Sequence, residues 1–187
     1  MFWIVAIPAL KTGEAAAPAE LRMDSEAFAA FYARSARPLW AYLVRVSGNH
    51  ALADDLMQET YLRFLGASYP ADGEVAARRY LFRIATNLLR DYWRKPVESS
   101  LEEVPEALLA AASPSGTGDF GEMLGPALAK VSPRERQLLW LAYAEGYAHK
   151  EIAEITGLQS TSIRLLLFRA RRRIAALLRK QGEWRKP

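Results

Sequence analysis

Apolar residues recur every three or four positions along most of the chain, and no stretch alternates as a half-buried strand would. The spacing is clearest over 25–46, 50–65 and 74–95, and it returns after residue 132. A helix with such a stripe buries one face and leaves the other to solvent. The pattern predicts an all-α fold of two small helical domains joined by a flexible linker, with a helix-turn-helix in the second domain.

Local signals predict where several elements begin or break. Asn49 suits the N-cap of a second helix. Ser132 and Glu135 form a capping box, with proline at the first helical position. Pro38 lies inside the first helix, where the missing backbone donor is expected to kink or divide it. Residues 66–73 are rich in Gly, Pro, Ser and Asp, a composition that predicts a loop.

Residues 149–173 predict the helix-turn-helix. Ala153 allows close packing of the first helix, and Gly157 supplies the positive φ of the turn. The second helix has an apolar face, made by Ile163, Leu167, Ala170 and Ile174, with its arginines pointing away from that face. A fixed helix with a basic outer face fits the major groove of duplex DNA. The alternative is a helical hairpin whose charged face is simply solvated.

Two other predicted helices carry polar surfaces with more than one interpretation. Along 74–95, basic and amide groups alternate with Tyr80, Tyr92 and Trp93, which suits a nucleic-acid strand with unstacked bases; core packing of the aromatics is the alternative. Along 50–65, Asp54 and Asp55 lie away from the apolar stripe. The helix face that carries these two carboxylates has three interpretations. It is a solvated face, a docking site for a basic partner or, together with Glu59, a magnesium site.

The distribution of charge indicates a nucleic-acid-binding domain on a tether. The 187-residue chain has a net charge of +4, but residues 122–187 carry 13 Lys/Arg against 6 Asp/Glu. The preceding segment, 96–121, contains five acidic residues and no basic one. The expected organisation is a tail over 1–23, a first domain over 24–95, an acidic flexible linker over 96–121, a second domain over 122–182 and a tail over 183–187.

Composition excludes several classes of protein. The chain has no cysteine, which rules out disulfides and thiolate metal sites. No apolar run approaches the roughly 18 residues of a membrane span, so no membrane insertion is expected. The apolar first ten residues lack the positive flank and cleavage segment of a secretory signal. They are interpreted as a disordered tail or a start-site artefact.

Two blocks of the sequence carry a family likeness. DLMQETYLRF at 55–64, followed by YLFRIATNLLRDYWRK at 80–95, resembles domain 2 of bacterial sigma-70 factors, and most closely those of the extracytoplasmic-function (ECF) group. Residues 128–178 resemble domain 4 of the same factors. The order of the blocks and the linker between them also match. The resemblance implies an alternative sigma factor that binds core RNA polymerase and directs promoter recognition and transcription initiation.

The resemblance also implies roles for individual residues. Docking on the β′ clamp helices of polymerase is expected of Asp55, Gln58 and Glu59. Recognition and opening of the −10 element is expected of Ser68, Asp72, Arg83, Asn87, Asp91 and Arg94. Reading of the −35 element is expected of Thr161, Ser162, Arg164, Arg169, Arg171 and Arg172. Leu165 and Phe168 are apolar where the family commonly has polar residues, so we expect them to touch thymine methyls or another protein.

The expected partners are core RNA polymerase, through its β′ clamp helices and β flap, and promoter DNA, with an anti-sigma factor as a candidate third. No cofactor or enzymatic activity is expected, because glycine-rich phosphate loops, paired histidines and nucleophile elbows are lacking in the sequence. The expected location is the cytoplasm. The main alternative is a helix-turn-helix regulator that binds duplex DNA without joining polymerase; a metal-dependent enzyme and an inert helical adaptor are weaker ones.

Overall fold

The computed structural model of the protein describes residues 23–67, 73–94 and 120–180, with side chains from residue 125 onward in the last range. This part of the chain contains seven α-helices and no strand, which confirms the predicted all-α fold. They are α1 (Ser25–Ser47), α2 (His50–Gly66), α3 (Glu74–Arg94), α4 (Phe120–Ala129), α5 (Pro133–Tyr143), α6 (His149–Thr156) and α7 (Ser160–Lys180). The predicted site residues Ser68 and Asp72, the tail before Met23 and most of the predicted linker lie outside the described residues.

Helices α1, α2 and α3 contact one another and enclose an apolar core. The Asp24 side chain caps α1, and that helix runs without interruption past Pro38. Asn49 caps α2 by accepting a hydrogen bond from the Leu52 amide, as the sequence predicts. The core contains stacked Phe31 and Phe64 rings, whose centroids are 5.1 Å apart. These contacts fix the outward faces of α2 and α3.

Helices α4 to α7 form the second group, in which α7 contacts α4, α5 and α6. The predicted capping box is present, with Ser132 and Glu135 each accepting a hydrogen bond from the other's backbone amide. Gly157 ends α6 with φ of 70°, in the left-handed region that glycine adopts without strain. The turn therefore sets α7 across α6 in the geometry of a helix-turn-helix.

The two groups of helices also pack against each other, through α1 with α5 and α3 with α6. Buried side chains from both groups belong to one continuous apolar core. The Phe82 ring of α3 meets the ring of Tyr147, just before α6, edge to face at 5.8 Å. The sequence pattern does not predict this contact.

Among the described helices, none is both long and apolar enough to cross a membrane. Within the same residues there is no group of three or more His, Cys, Asp or Glu side chains that could hold a metal ion. The magnesium interpretation of the acidic face of α2 therefore gains no support.

Candidate polymerase and promoter interfaces

Helix α7 presents a long exposed face opposite the stripe that holds it in place. Ile163, Leu167 and Ala170 are buried, as the sequence predicts. Arg173 of α7 pairs at 3.3 Å with Glu135, which lies at the N-terminus of α5. Burial alone would raise the pKa of the Glu135 carboxyl, but hydrogen bonds from Ser132 and the charge of Arg173 lower it below its ordinary value. The helix is thus fixed by apolar packing and by an ion pair to a capped neighbour.

The predicted −35 residues do not all share one side of α7. With 3.6 residues per turn, the centre of the exposed face is formed by Thr161, Leu165, Phe168 and Arg172. Exposed Arg164 and Arg171 lie on one flank of this centre, and half-buried Ser162 and exposed Arg169 lie on the other. The Arg172 guanidinium stands over the Phe168 ring, 5.8 Å from its centroid.

The centre of this face is therefore partly apolar and flanked by arginines. Leu165 and Phe168 remain about half exposed. Arginine suits guanine edges and phosphates, whereas exposed methyl-bearing and aromatic groups suit the thymine methyl. This face therefore combines groups that suit guanine edges and phosphates with groups that suit thymine methyls.

Helix α3 presents a second polar face at its C-terminal half. Arg83, Asp91 and Arg94 are exposed, and half-buried Asn87 lies on the same side. The Asn87 side-chain oxygen accepts a hydrogen bond from Arg90 at 2.5 Å. Near the end of the helix Tyr92 and Trp93 remain 48% and 40% exposed, and exposed aromatic rings can stack on unstacked bases.

Helix α2 presents an acidic face away from the core. Asp55 and Gln58 are exposed, while Glu59 is half-buried and pairs with Arg63 at 2.6 Å. Neighbouring Asp54 instead accepts a hydrogen bond from the Trp40 indole at 2.7 Å, which ties it to α1. Asp54 and Glu59 thus each contact a neighbouring side chain, although Asp54 remains exposed.

Comparison with known proteins shows the family of the chain. Residues 31–97 match the family model for sigma-70 region 2, and residues 122–174 match the model for sigma-70 region 4. The ECF RNA polymerase sigma factor EcfG of Rhodopseudomonas palustris is 33% identical over 149 residues, covering 77% of this chain and 81% of the relative. The chain belongs to the ECF group of sigma-70 factors.

A more distant relative covers most of the chain, and solved structures have a similar fold. The ECF sigma factor SigL of Mycobacterium tuberculosis is 28% identical and covers 91% of this chain and 96% of its own length. The fold is similar to that of the Bartonella quintana sigma factor RpoE in complex with the anti-sigma factor NepR, with a TM-score of 0.64, 24% identity, and coverage of 81% and 96%. It is also similar to CnrH in complex with the cytosolic domain of CnrY, with a TM-score of 0.58, 24% identity, and coverage of 84% and 90%.

The protein is therefore an alternative sigma factor that directs promoter recognition by RNA polymerase. Sigma factors are transcription initiation factors and not enzymes. The alternative of a regulator acting without polymerase is not favoured, because such a regulator needs only a helix-turn-helix and this chain also matches region 2.

Sequence reasoning overlooked part of the outward surface of this sigma factor. Leu62 is 67% exposed and follows Asp55 by seven positions, which puts both on the same side of α2. Leu65, one turn further on, is also exposed. The sequence does carry a signal for this surface. Leu62 is apolar, yet it lies at helical spacing with the acidic positions and not with the buried stripe. The acidic face of α2 therefore continues as an exposed apolar surface near the C-terminus of the helix.

Proposed function

We propose that the two helical groups divide the work of promoter recognition between them. Helices α1 to α3, with the residues around them (24–95), act as the domain that docks on polymerase and opens the −10 element. Helices α4 to α7 (122–182) act as the domain that reads the −35 element as intact duplex. The arrangement of α7 is the observation that carries the proposal, because it combines exposed arginines with a rigidly buried opposite face.

For docking, we assign Asp55, Gln58 and Glu59 to the β′ clamp helices of polymerase. Exposed carboxylates and an amide on one helix face suit a basic partner, and exposed Leu62 adds apolar area beside them. The domain of α7 would in turn reach the β flap. Both contacts leave the cores undisturbed.

At the DNA, the −35 role falls to Thr161, Ser162, Arg164, Arg169, Arg171 and Arg172. The −10 role falls to Arg83, Asn87, Asp91 and Arg94, with Ser68 and Asp72 assigned by resemblance only. The first set suits base-pair edges, and the second suits bases that have left the stack.

Three further proposals follow from family membership. An anti-sigma factor is a proposed partner, supported by the sigma factors of similar fold that were solved with anti-sigma factors. The half-exposed Leu165 and Phe168 would suit such a contact. We also propose a cytoplasmic location, where polymerase and promoters are, and no catalytic activity for this chain.

A comparison of two variants on two templates tests the division of labour. Arg164→Ala should weaken polymerase-dependent binding to a duplex promoter by about 10-fold or more, the loss of one arginine–base contact, and a pre-melted −10 bubble should not fully restore it. Asn87→Ala should impair opening of the duplex and bind a single-stranded −10 oligonucleotide poorly. The salt concentration is held fixed, because phosphate contacts make affinity strongly salt-dependent. Equal losses by both variants on both templates would refute the assignment.

The docking assignment has its own test. Asp55→Lys combined with Gln58→Ala should weaken binding to core polymerase, with a larger effect at low salt, while the thermal midpoint is unchanged. Glu26→Lys is the matched control, because Glu26 is an exposed acidic residue on a different helix. Normal affinity of the double variant for core polymerase would show that α2 docks through other residues.

A further inference from the structure

A row of four side chains runs along the centre of the exposed face of α7. Thr161, Leu165, Phe168 and Arg172 follow one another at helical spacing, which places all four on one line along the helix. All four side chains are exposed. The row therefore has two neighbouring apolar groups at its middle, a hydroxyl group at its N-terminal end and a guanidinium group at its C-terminal end.

Packing within the fold does not account for the two apolar side chains of this row. The buried stripe on the opposite face of α7 holds the helix, and its members Ile163 and Leu167 are at most 2% exposed. Leu165 and Phe168 are 50% and 48% exposed. The Arg172 guanidinium covers part of the Phe168 ring at 5.8 Å from its centroid, and the rest of the side chain faces solvent. These two residues are therefore available to a partner.

The surroundings of these apolar side chains are basic. Exposed Arg164 and Arg171 lie on one flank of the row, exposed Arg169 lies on the other flank, and Arg172 ends the row. Helix α7 itself contains no acidic residue. Because like charges oppose close approach and opposite charges favour it, the charge of this face selects an anionic partner.

The small apolar area favours DNA over a protein as that partner. A stable protein interface buries about 800 Å² on each side and concentrates its apolar groups in a continuous core. Helix α7 instead exposes two large apolar side chains, both placed between arginines. A protein that contacts Leu165 and Phe168 must also cover these arginines, so it would exclude DNA from the helix. Duplex DNA matches both features, because it is a polyanion that carries a small apolar group on one of its bases.

The chemistry of the major groove determines which base suits these side chains. Adenine, guanine and cytosine present hydrogen-bond donors and acceptors there, whereas thymine also presents a C5-methyl group. An apolar side chain against one of the other three bases removes water from a polar group without replacing its hydrogen bond, which weakens binding. Against thymine it buries a methyl group, which strengthens binding. Leu165 and Phe168 therefore favour thymine over the other bases.

The spacing of the two side chains indicates how many thymines they reach. Leu165 and Phe168 are three residues apart, about 4.5 Å along the helix axis at ~1.5 Å per residue. Successive base pairs are about 3.4 Å apart along the duplex. In a helix that lies along the major groove, side chains with this spacing reach adjacent base pairs. Arg164 and Arg169, on the two flanks, then lie beside these base pairs and suit guanines or phosphates.

We propose that Leu165 and Phe168 are specificity-determining residues, which read the methyl groups of thymines at two adjacent base pairs of the −35 element. The inference rests on the proposed function, because it takes α7 as the helix that enters the major groove at that element. It deepens the function by dividing the work within α7. The arginines on the flanks supply affinity, and the two apolar residues distinguish thymine from cytosine at the centre.

Selection from random DNA identifies the element and tests the two residues together. Polymerase reconstituted with the full chain selects from a pool of duplexes of random sequence, and the bound duplexes are sequenced. We expect thymine to be enriched at two adjacent positions of the −35 element. With Leu165→Ala and Phe168→Ala combined, the preference for thymine at these positions should be lost, while the preferences at the flanking positions remain. Both residues are exposed, so the thermal midpoint of the double variant should stay unchanged.

Removal of single methyl groups from a selected duplex tests the contact itself. Deoxyuridine in place of each central thymine removes the C5-methyl group and leaves every hydrogen-bonding group in place. Each replacement should weaken binding of the holoenzyme about 4-fold, the contribution of one buried methyl group. With Leu165→Ala or Phe168→Ala, one of the two replacements should lose its effect. Arg164→Ala is the contrasting variant, because it should weaken binding while keeping the dependence on both methyl groups.

Two further duplexes serve as controls. Deoxyuridine in the spacer between the promoter elements should leave binding unchanged, and 5-methylcytosine at a central position should bind more tightly than cytosine. Deoxyuridine replacements without effect on the unmodified chain, or with the same effect on the Leu165 and Phe168 variants, would overturn the inference and leave the −35 role of α7 in place. A pool that yields no −35 element, together with normal duplex binding by Arg164→Ala, would overturn the proposed function as well.

Discussion

A double-mutant cycle on Tyr42 and Gln137 can measure the energy that couples the two domains. Tyr42→Phe removes the hydroxyl that bonds Thr86 at 2.7 Å and Gln137 at 2.8 Å. It leaves the buried Gln137 amide with only a 3.5 Å contact to Thr86. A lost bond costs about 0.5–1.5 kcal/mol and an unsatisfied buried donor about 1–3 kcal/mol, so we expect a loss of about 2 kcal/mol.

The same geometry predicts the stability of the other two variants in the cycle, Gln137→Leu and the double variant. Gln137→Leu leaves Tyr42 bonded to Thr86, so about 1 kcal/mol should be lost. In the double variant the amide is gone together with its partner, and the total should be about 2 kcal/mol, less than the sum of the single losses. The coupling energy is then about 1 kcal/mol.

Denaturant unfolding of the four proteins, at pH 7 and without polymerase, measures this coupling. Each kcal/mol also corresponds to a thermal shift of about 2–4 °C for a chain of this size. Ser35→Ala with Tyr61→Phe is the matched control, since these hydroxyls bond at 2.7 Å within the first domain. Additivity within about 0.3 kcal/mol for Tyr42 and Gln137, beside clear coupling in the control, would show that the domains are not docked in solution.

Two further predictions concern the turn and the acid range. Gly157→Ala should destabilise the fold by about 1–2 kcal/mol in thermal unfolding, because φ is 70° there; Gly66→Ala, with ordinary φ and open space, is the control. Burial raises the pKa of Glu145 despite Arg78, so stability should rise as the pH falls toward the ordinary value near 4.5, and Glu145→Gln should abolish that rise. Below that value stability should fall as Glu135, whose pKa is lowered, loses its charge; a pH series of unfolding midpoints that lacks both trends would contradict these pKa shifts.

Within each domain, the sequence predicts the faces of the helices because periodicity reports burial directly. Ile163, Leu167 and Ala170 repeat at helical spacing, and all three are buried. The turn was equally predictable, since only a residue free of Cβ strain suits φ of 70°, and Gly157 stands there. The exposed positions of most α2 and α7 site residues follow from the same rule, whereas Glu59 and Ser162 are half-buried. Their roles remain predictions.

The effect of Pro38 was only half predictable. Proline removes one backbone donor, and the expectation allowed either a kink or a division of the helix. In the structure α1 continues from Ser25 to Ser47. Leu39, Tyr42 and Leu43, just beyond the proline, are completely buried. Tertiary packing on both sides of the proline outweighs the loss of one hydrogen bond.

The contact between the domains could not be read from the sequence, because periodicity shows that a side chain is buried without showing what covers it. Thr86 and Gln137 are polar residues within apolar stripes. Nothing in the neighbouring sequence identifies the residue of another helix with which each of them forms a hydrogen bond. The roles of Arg78 and Arg79 are harder still to predict, because a guanidinium group suits a nucleic-acid strand and an acidic helix equally well. Their assignment depends on what lies opposite, which is Glu145, just before α6, for Arg78 and the glutamates of α6 for Arg79.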